Sequence, residues 1–68
     1  MSTLTKIGSS LKKTRKKQKL SQKEVAKRAD VNTNYYARIE RGEVNFSMKI
    51  LEKLIKALKT TASEILPF

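Results

Sequence analysis

The side chains with chemistry to offer in this chain are mostly cationic. Sixteen Lys and Arg against six Asp and Glu give its 68 residues a net charge of +10. That is more than solubility requires, and it equips the chain to attract a polyanion. The groups that catalysis draws on most are missing. There is no His, which removes the commonest acid–base catalyst and metal ligand. There is no Cys, hence no disulfide and no thiolate metal site. The carboxylates are scattered without metal-like clustering, and Gly8 and Gly42 are isolated, so no glycine loop cradles a phosphate. Ser and Lys are common enough to write a Ser–Lys dyad on paper. A chain of this length, however, lacks room for a deep substrate pocket of ~300 Å³ or more. The composition predicts a binding protein with no enzymatic activity, no metal and no cofactor.

The charge is unevenly placed. Residues 1–28 hold ten Lys/Arg and one acid, Glu24, whereas residues 29–68 hold six and five. Runs of like charge are often disordered tails. Here they are interleaved with Leu4, Ile7, Leu11, Leu20 and Val25, the pattern of a folded basic face. Which of Lys12, Lys13, Lys16, Lys17 and Lys19 would touch an anion, and which are merely solvated, the run does not specify.

The elements that must position these groups read as helices throughout. Leu4, Ile7 and Leu11 fall on one helical face and predict a first helix from about Thr3 to Gln18. Ser21-Gln22-Lys23-Glu24 is a capping-box sequence that opens a short second helix with Val25, Ala26 and Ala29 inward. Asp30 ends the turn after it, and Asn32 is a good N-cap for a third helix that carries Tyr35, Tyr36 and Ile39 and stops at Gly42. Of the two tyrosines, one is expected in the core and one half-exposed. Ser47 caps a fourth helix with Met48, Leu51, Leu54, Ile55 and Leu58 facing in. Thr61 and Glu64 repeat the capping box before a last turn from Ala62 to Leu66. No strand-like alternation, repeat or low-complexity linker interrupts the series. One all-α domain of five short helices, spanning 1–68, is expected. A domain this small has a stability of only ~3–5 kcal/mol. No secretory leader and no membrane-length apolar run is present, which points to the cytoplasm.

Residues 22–41 form a short helix, a tight turn and a second short helix. Small Ala26 lets the helices approach, and Val31, Tyr36 and Ile39 close the angle between them. Leu11…Arg15, Leu20-Ser21-Gln22, Val25-Ala26, Val31, Tyr35, Ile39-Glu40-Arg41-Gly42 and Leu51…Leu54…Leu58 stand in order and at the right spacing. With these segments the chain resembles the phage-repressor and Cro-like helix-turn-helix proteins, including the controller proteins of restriction–modification systems, from about Ile7 to Leu66. The resemblance implies a compact five-helix lambda-repressor-like fold. Three departures stand out. Asp30 replaces a frequent Gly. Tyr36 replaces an Ile or Val, which should place its ring in the core with its hydroxyl near the surface. Lys59-Thr60 replaces a common Gly-Val.

The resemblance also implies roles. A recognition helix at about 33–41 would enter a major groove about 12 Å wide. Thr33, Asn34 and Arg38 match base-reading positions. Asn can pair bidentately with adenine and Arg with guanine. Gln22, Asn45, Phe46 and Ser47 match phosphate-contacting positions, with Asn32, Lys23, Arg41 and Lys49 as further phosphate contacts. Arg15 and Glu40 match a structural ion pair bridging the first helix to the recognition helix. Ile50, Ile65, Leu66 and Phe68 would leave an apolar patch for a homodimer. The implied function is sequence-specific regulation of transcription on an inverted repeat in double-stranded DNA, with no small-molecule effector and no membrane partner. The antitoxin of a toxin–antitoxin pair shares the fold and is the alternative. A cationic membrane-active peptide would need its apolar stripes free, and the capping pattern packs them together instead.

Overall fold

Four of the helices start on a side chain that closes its own first turn. In the computed structural model, which describes residues 2–68, Ser2 accepts the Thr5 N–H at 3.1 Å and opens α1 (Thr3–Lys17). Ser21 accepts the Glu24 N–H at 3.0 Å and Glu24 returns the bond to the Ser21 N–H at 2.9 Å, opening α2 (Gln22–Ala29). Asn32 accepts the Tyr35 N–H at 3.0 Å before α3 (Thr33–Glu40), and Ser47 the Ile50 N–H at 3.1 Å before α4 (Met48–Ala57). Each bond satisfies one orphan donor. The short α5 (Ala62–Ile65) differs from expectation. Thr61 makes no side-chain cap bond. Its hydroxyl lies 3.1 Å from that of Ser63, while Glu64 accepts from Thr60 at 3.4 Å, so the second capping box does not form.

The helix ends share one device. Lys19, Asp30, Gly42 and Lys59 take the left-handed conformation at φ 59°, 57°, 72° and 51°. The next residue then bonds back five positions: Leu20 to Arg15, Val31 to Ala26, Glu43 to Arg38 and Thr60 to Ile55, at 2.9–3.1 Å. This closure suits glycine, and a side chain there costs ~1–2 kcal/mol. Lys59 carries that cost with no resolved compensation in its own contacts. Lys59→Gly is therefore expected to stabilise the domain by about 1 kcal/mol, raising the thermal midpoint by about 4–8 °C. An unchanged or lower midpoint in a melting curve would refute this.

The helices enclose one core of Ile7, Leu11, Val25, Ala26, Ala29, Tyr36, Ile39, Leu51, Leu54, Ala57, Leu58 and Ile65, in a body of 26 × 20 × 20 Å. α1 packs on α3 and α5, and α2 packs on α3 and α4. No strand occurs among the described residues. Three expectations are corrected here. Met48 is 75 % exposed, because it lies in the first turn of α4, beyond the reach of the core. Tyr36 is buried entire, hydroxyl included, and that hydroxyl has no hydrogen-bond partner among the described residues. Ile65 is fully buried inside the monomer, where α5 folds back on α1, so its side chain is not available to a second copy.

Gly8 fixes the approach of α1 to α3. A Cβ there would sit 2.5 Å from the Glu40 carbonyl oxygen and closer still to that of Ile39. The absent side chain lets backbone meet backbone, and this sets where α3 stands.

Candidate nucleic-acid interface

The inward side of α3 carries Tyr36, Ile39 and Glu40, all buried. Asn34 and Arg38, one turn apart, stand together on its exposed side, with Thr33 half-buried beside them. The helix-turn-helix thus places the three side chains on one element. Its eight residues span ~12 Å.

Behind this helix the Glu40 carboxylate is a hub. Arg15 donates to it twice, from Nε to Oε2 at 2.7 Å and from Nη2 to Oε1 at 3.1 Å, and its Nη1 donates to the Leu20 carbonyl at 2.9 Å. Gln22 donates from Nε2 to Oε1 at 2.9 Å. The Glu40 side chain is 1 % exposed and that of Arg15 is 11 %. Burial pushes the Glu40 carboxyl up. The hydrogen bonds from Arg15 and Gln22, together with the Arg15 charge, outweigh that and hold it below the usual carboxylate range. Burial beside Glu40 also pushes the Tyr36 hydroxyl far up, so it stays protonated. Arg15 is thereby a structural cation, and the hub joins α1, the start of α2 and the end of α3.

The residues matched to phosphate contacts are partly occupied by bonds within the protein. Gln22 gives one amide hydrogen to Glu40 and keeps the second. Asn32 and Ser47 spend their side-chain oxygens on the caps of α3 and α4. Asn45 offers its carbonyl to the Tyr35 hydroxyl at 3.0 Å, which pins the α3–α4 loop to the recognition helix. Phe46 is half-buried against the core. Lys23 and Lys49 are exposed. Arg41 is exposed but held by Glu43, from Nε at 2.8 Å and from Nη2 at 3.2 Å. Neither the Tyr35 pin nor the Glu43 pairing is evident from residue types. The one hint is the Gly42 turn, which brings residue 43 back against α3.

The basic run of α1 divides. Lys13 and Lys17, two residues either side of Arg15, stand on the opposite face of the helix and line a groove with Lys59 and Glu64. Lys12 lies nearer the Arg15 side. Only part of the charge therefore shares a face with α3.

Apolar surface gathers around the start of α4 and the C-terminal residues. Leu4, Phe46, Met48, Leu51, Leu66 and Phe68 line one groove. A second, between α4 and α5, includes Met48, Leu51, Ile55 and Leu66. Phe68 is 86 % exposed, and Ile50 and Leu66 are half-buried. No helix among the described residues is long and apolar enough to cross a membrane, and no cluster of metal-binding side chains occurs among them.

Four similarities bear on this geometry. The control protein C.MunI of a Mycoplasma species is 43 % identical over 61 residues, covering 88 % of this chain and 82 % of that protein. The crystal structure of the restriction-modification controller protein C.AhdI from Aeromonas hydrophila superposes with a TM-score of 0.89 at 32 % identity, covering 93 % of this chain and 96 % of its own. The controller C.Esp1396I, solved as a tetramer in complex with its natural 35 base-pair operator, superposes with a TM-score of 0.86 at 27 % identity, covering 93 % and 83 %. A family model described as helix-turn-helix matches residues 11–65, the stretch that runs from α1 through the Glu40 hub to α5. The chain belongs to the helix-turn-helix family of DNA-binding regulators.

Proposed function

We propose that this protein is a controller-type transcription regulator that binds an inverted repeat in double-stranded DNA as a homodimer. The observation that carries this is the outward face of α3, where Asn34 and Arg38 are exposed and Thr33 is half-buried, on a helix held from behind by Glu40. Arg38 offers a guanine edge two N–H donors, and Asn34 matches adenine N6 and N7. Thr33 suits a thymine methyl. Gln22, through its free amide hydrogen, Lys23, Lys49 and the backbone at Asn45, Phe46 and Ser47 are assigned to phosphates, with Asn32 at the head of the helix, whereas Arg41 must leave Glu43 before it can join them.

Two copies are needed because one short helix reads too few base pairs, and their recognition helices should lie about 34 Å apart. The apolar grooves beside Met48, Leu66 and Phe68 supply the surface for the second copy, while Ile50 lies on another face of α4 and does not line them. The likeness to controllers of restriction–modification systems, one of them solved on its operator, supports regulation by occupancy of an operator, and to this reading we add a cytoplasmic location and no small-molecule effector.

Selection of bound duplexes from a random library tests the reading. A two-fold symmetric sequence with half-sites one helical turn apart is expected, and recovery of no common sequence would overturn it. Arg38→Ala should then lose about 1–3 kcal/mol of preference at one base pair per half-site while melting like the parent. A uniform loss on every duplex would make Arg38 a phosphate contact instead.

A further inference from the structure

Arg38 and Arg41 share one acid. Glu43 accepts from Arg41 through both carboxylate oxygens, at 2.8 and 3.2 Å, and its Oε1 lies 3.7 Å from Arg38 Nε. The side chains of all three are about half exposed, at 54 %, 55 % and 47 % for Arg38, Arg41 and Glu43. The pairing is built into the backbone. Gly42 turns the chain at φ 72°, and the Glu43 N–H then returns to the Arg38 carbonyl at 3.0 Å, which sets Glu43 against the side of α3 that carries the arginines. The Glu43 carboxyl is held below the usual carboxylate range by its hydrogen bonds from Arg41, helped by the charges of Arg41 and Arg38, so it stays ionised near neutral pH.

A lone carboxylate on a face that meets phosphates is unfavourable unless it does something there. Glu43 lies within 4 Å of both arginines. That is well inside the Debye length of about 8 Å at physiological salt, so its field reaches any phosphate they approach. A phosphate must draw each arginine away from Glu43 or bind beside a like charge. A guanine edge asks for neither. The Arg38 fork can keep Nε toward Glu43 and still present its Nη donors to O6 and N7. The carboxylate then fixes which edge of the fork points outward.

We propose that Glu43 is a specificity-determining positioning residue, which holds Arg38 and Arg41 on one carboxylate so that phosphate alone binds them poorly and a guanine presented to Arg38 binds well. This rests on the DNA-binding reading above.

The test uses the full chain with two duplexes of equal length, the one recovered by selection and a scrambled one, titrated over a salt series. Glu43→Gln keeps the shape and removes the charge. It should bind the scrambled duplex roughly three- to tenfold more tightly, the scale of two exposed ion pairs released. Its salt slope there should steepen by about 0.9 for each arginine that gains a phosphate. Affinity for the selected duplex should rise less, so discrimination falls. In an Arg38→Ala background, Glu43→Gln should no longer change preference at the Arg38 base pair, an outcome that a general charge effect would not produce. Equal tightening on both duplexes, or weakening on both, overturns the role of Glu43. A parent protein that does not separate the two duplexes at all overturns the DNA-binding reading itself.

Discussion

Glu40→Ala is expected to leave most of the protein unfolded at 25 °C. The substitution strands the Arg15 guanidinium, 11 % exposed, without the two bonds that neutralise it, and frees the Gln22 amide from its anchor. Removing one partner of such a buried pair costs about 3–5 kcal/mol. A domain of this size has about that much stability in total. Helical circular dichroism under a urea series reads the outcome directly, and a loss below about 1 kcal/mol would refute it. Replacing both partners together, as in Arg15→Met with Glu40→Leu, should recover much of the loss, because no charge is then left buried. The same hub sets the acid limit. The Glu40 carboxyl is held below its ordinary value in the folded state. Its contribution is therefore fully present above the unfolded value of about 4.3 and is lost as pH falls through the lower folded value. The parent should lose stability below about pH 4.5. The double variant should show less of this slope, the surface carboxyls of Glu24 and Glu43 supplying what remains.

Gly8→Ala is the second large effect, and here two terms oppose. Alanine in the interior of α1 gains about 1 kcal/mol of helix propensity over glycine. The new methyl, however, meets the Ile39 and Glu40 carbonyl oxygens, and these are backbone atoms that cannot rotate away. Overpacking of this kind costs about 1–3 kcal/mol and more where backbone must shift. The net expectation is a loss of about 2 kcal/mol, with α1 pushed off α3 and the Arg15–Glu40 bonds stretched. DNA affinity should fall further than the melting temperature alone accounts for, since α3 is displaced even in molecules that stay folded. A variant as stable as the parent, with equal affinity, would show that the α1–α3 approach is looser than the geometry demands.

Most of the scaffold was legible because its instructions are local. Ser21 with Glu24, Asn32, and Ser47 each announce a helix within four residues, and Leu51, Leu54 and Leu58 fix the buried face of α4. What resisted reading depends on distance in space. Met48 continues the apolar spacing of α4, yet at its first turn there is no core left to meet. Ile65 looks like surplus hydrophobicity until α5 folds under α1. The second capping box has the right residues, but Thr60 and Ser63 draw the side chains of Glu64 and Thr61 elsewhere. On α3, residue type and spacing identify the outward polar face. The attachment of Arg38 and Arg41 to Glu43 depends on a left-handed turn at Gly42, and composition does not encode it.

The carboxylate of Glu40 draws on partners 25 and 18 positions earlier in the chain. The segment 22–41 is consequently not a portable cassette. Cut out as a peptide, it would carry an acid whose counter-ion was left behind on α1, and the helical hairpin would have neither anchor nor backstop. A chimera that grafts this recognition hairpin onto another scaffold must also supply an arginine at the place of Arg15, and a bare glycine surface like that of Gly8 for the hairpin to rest on.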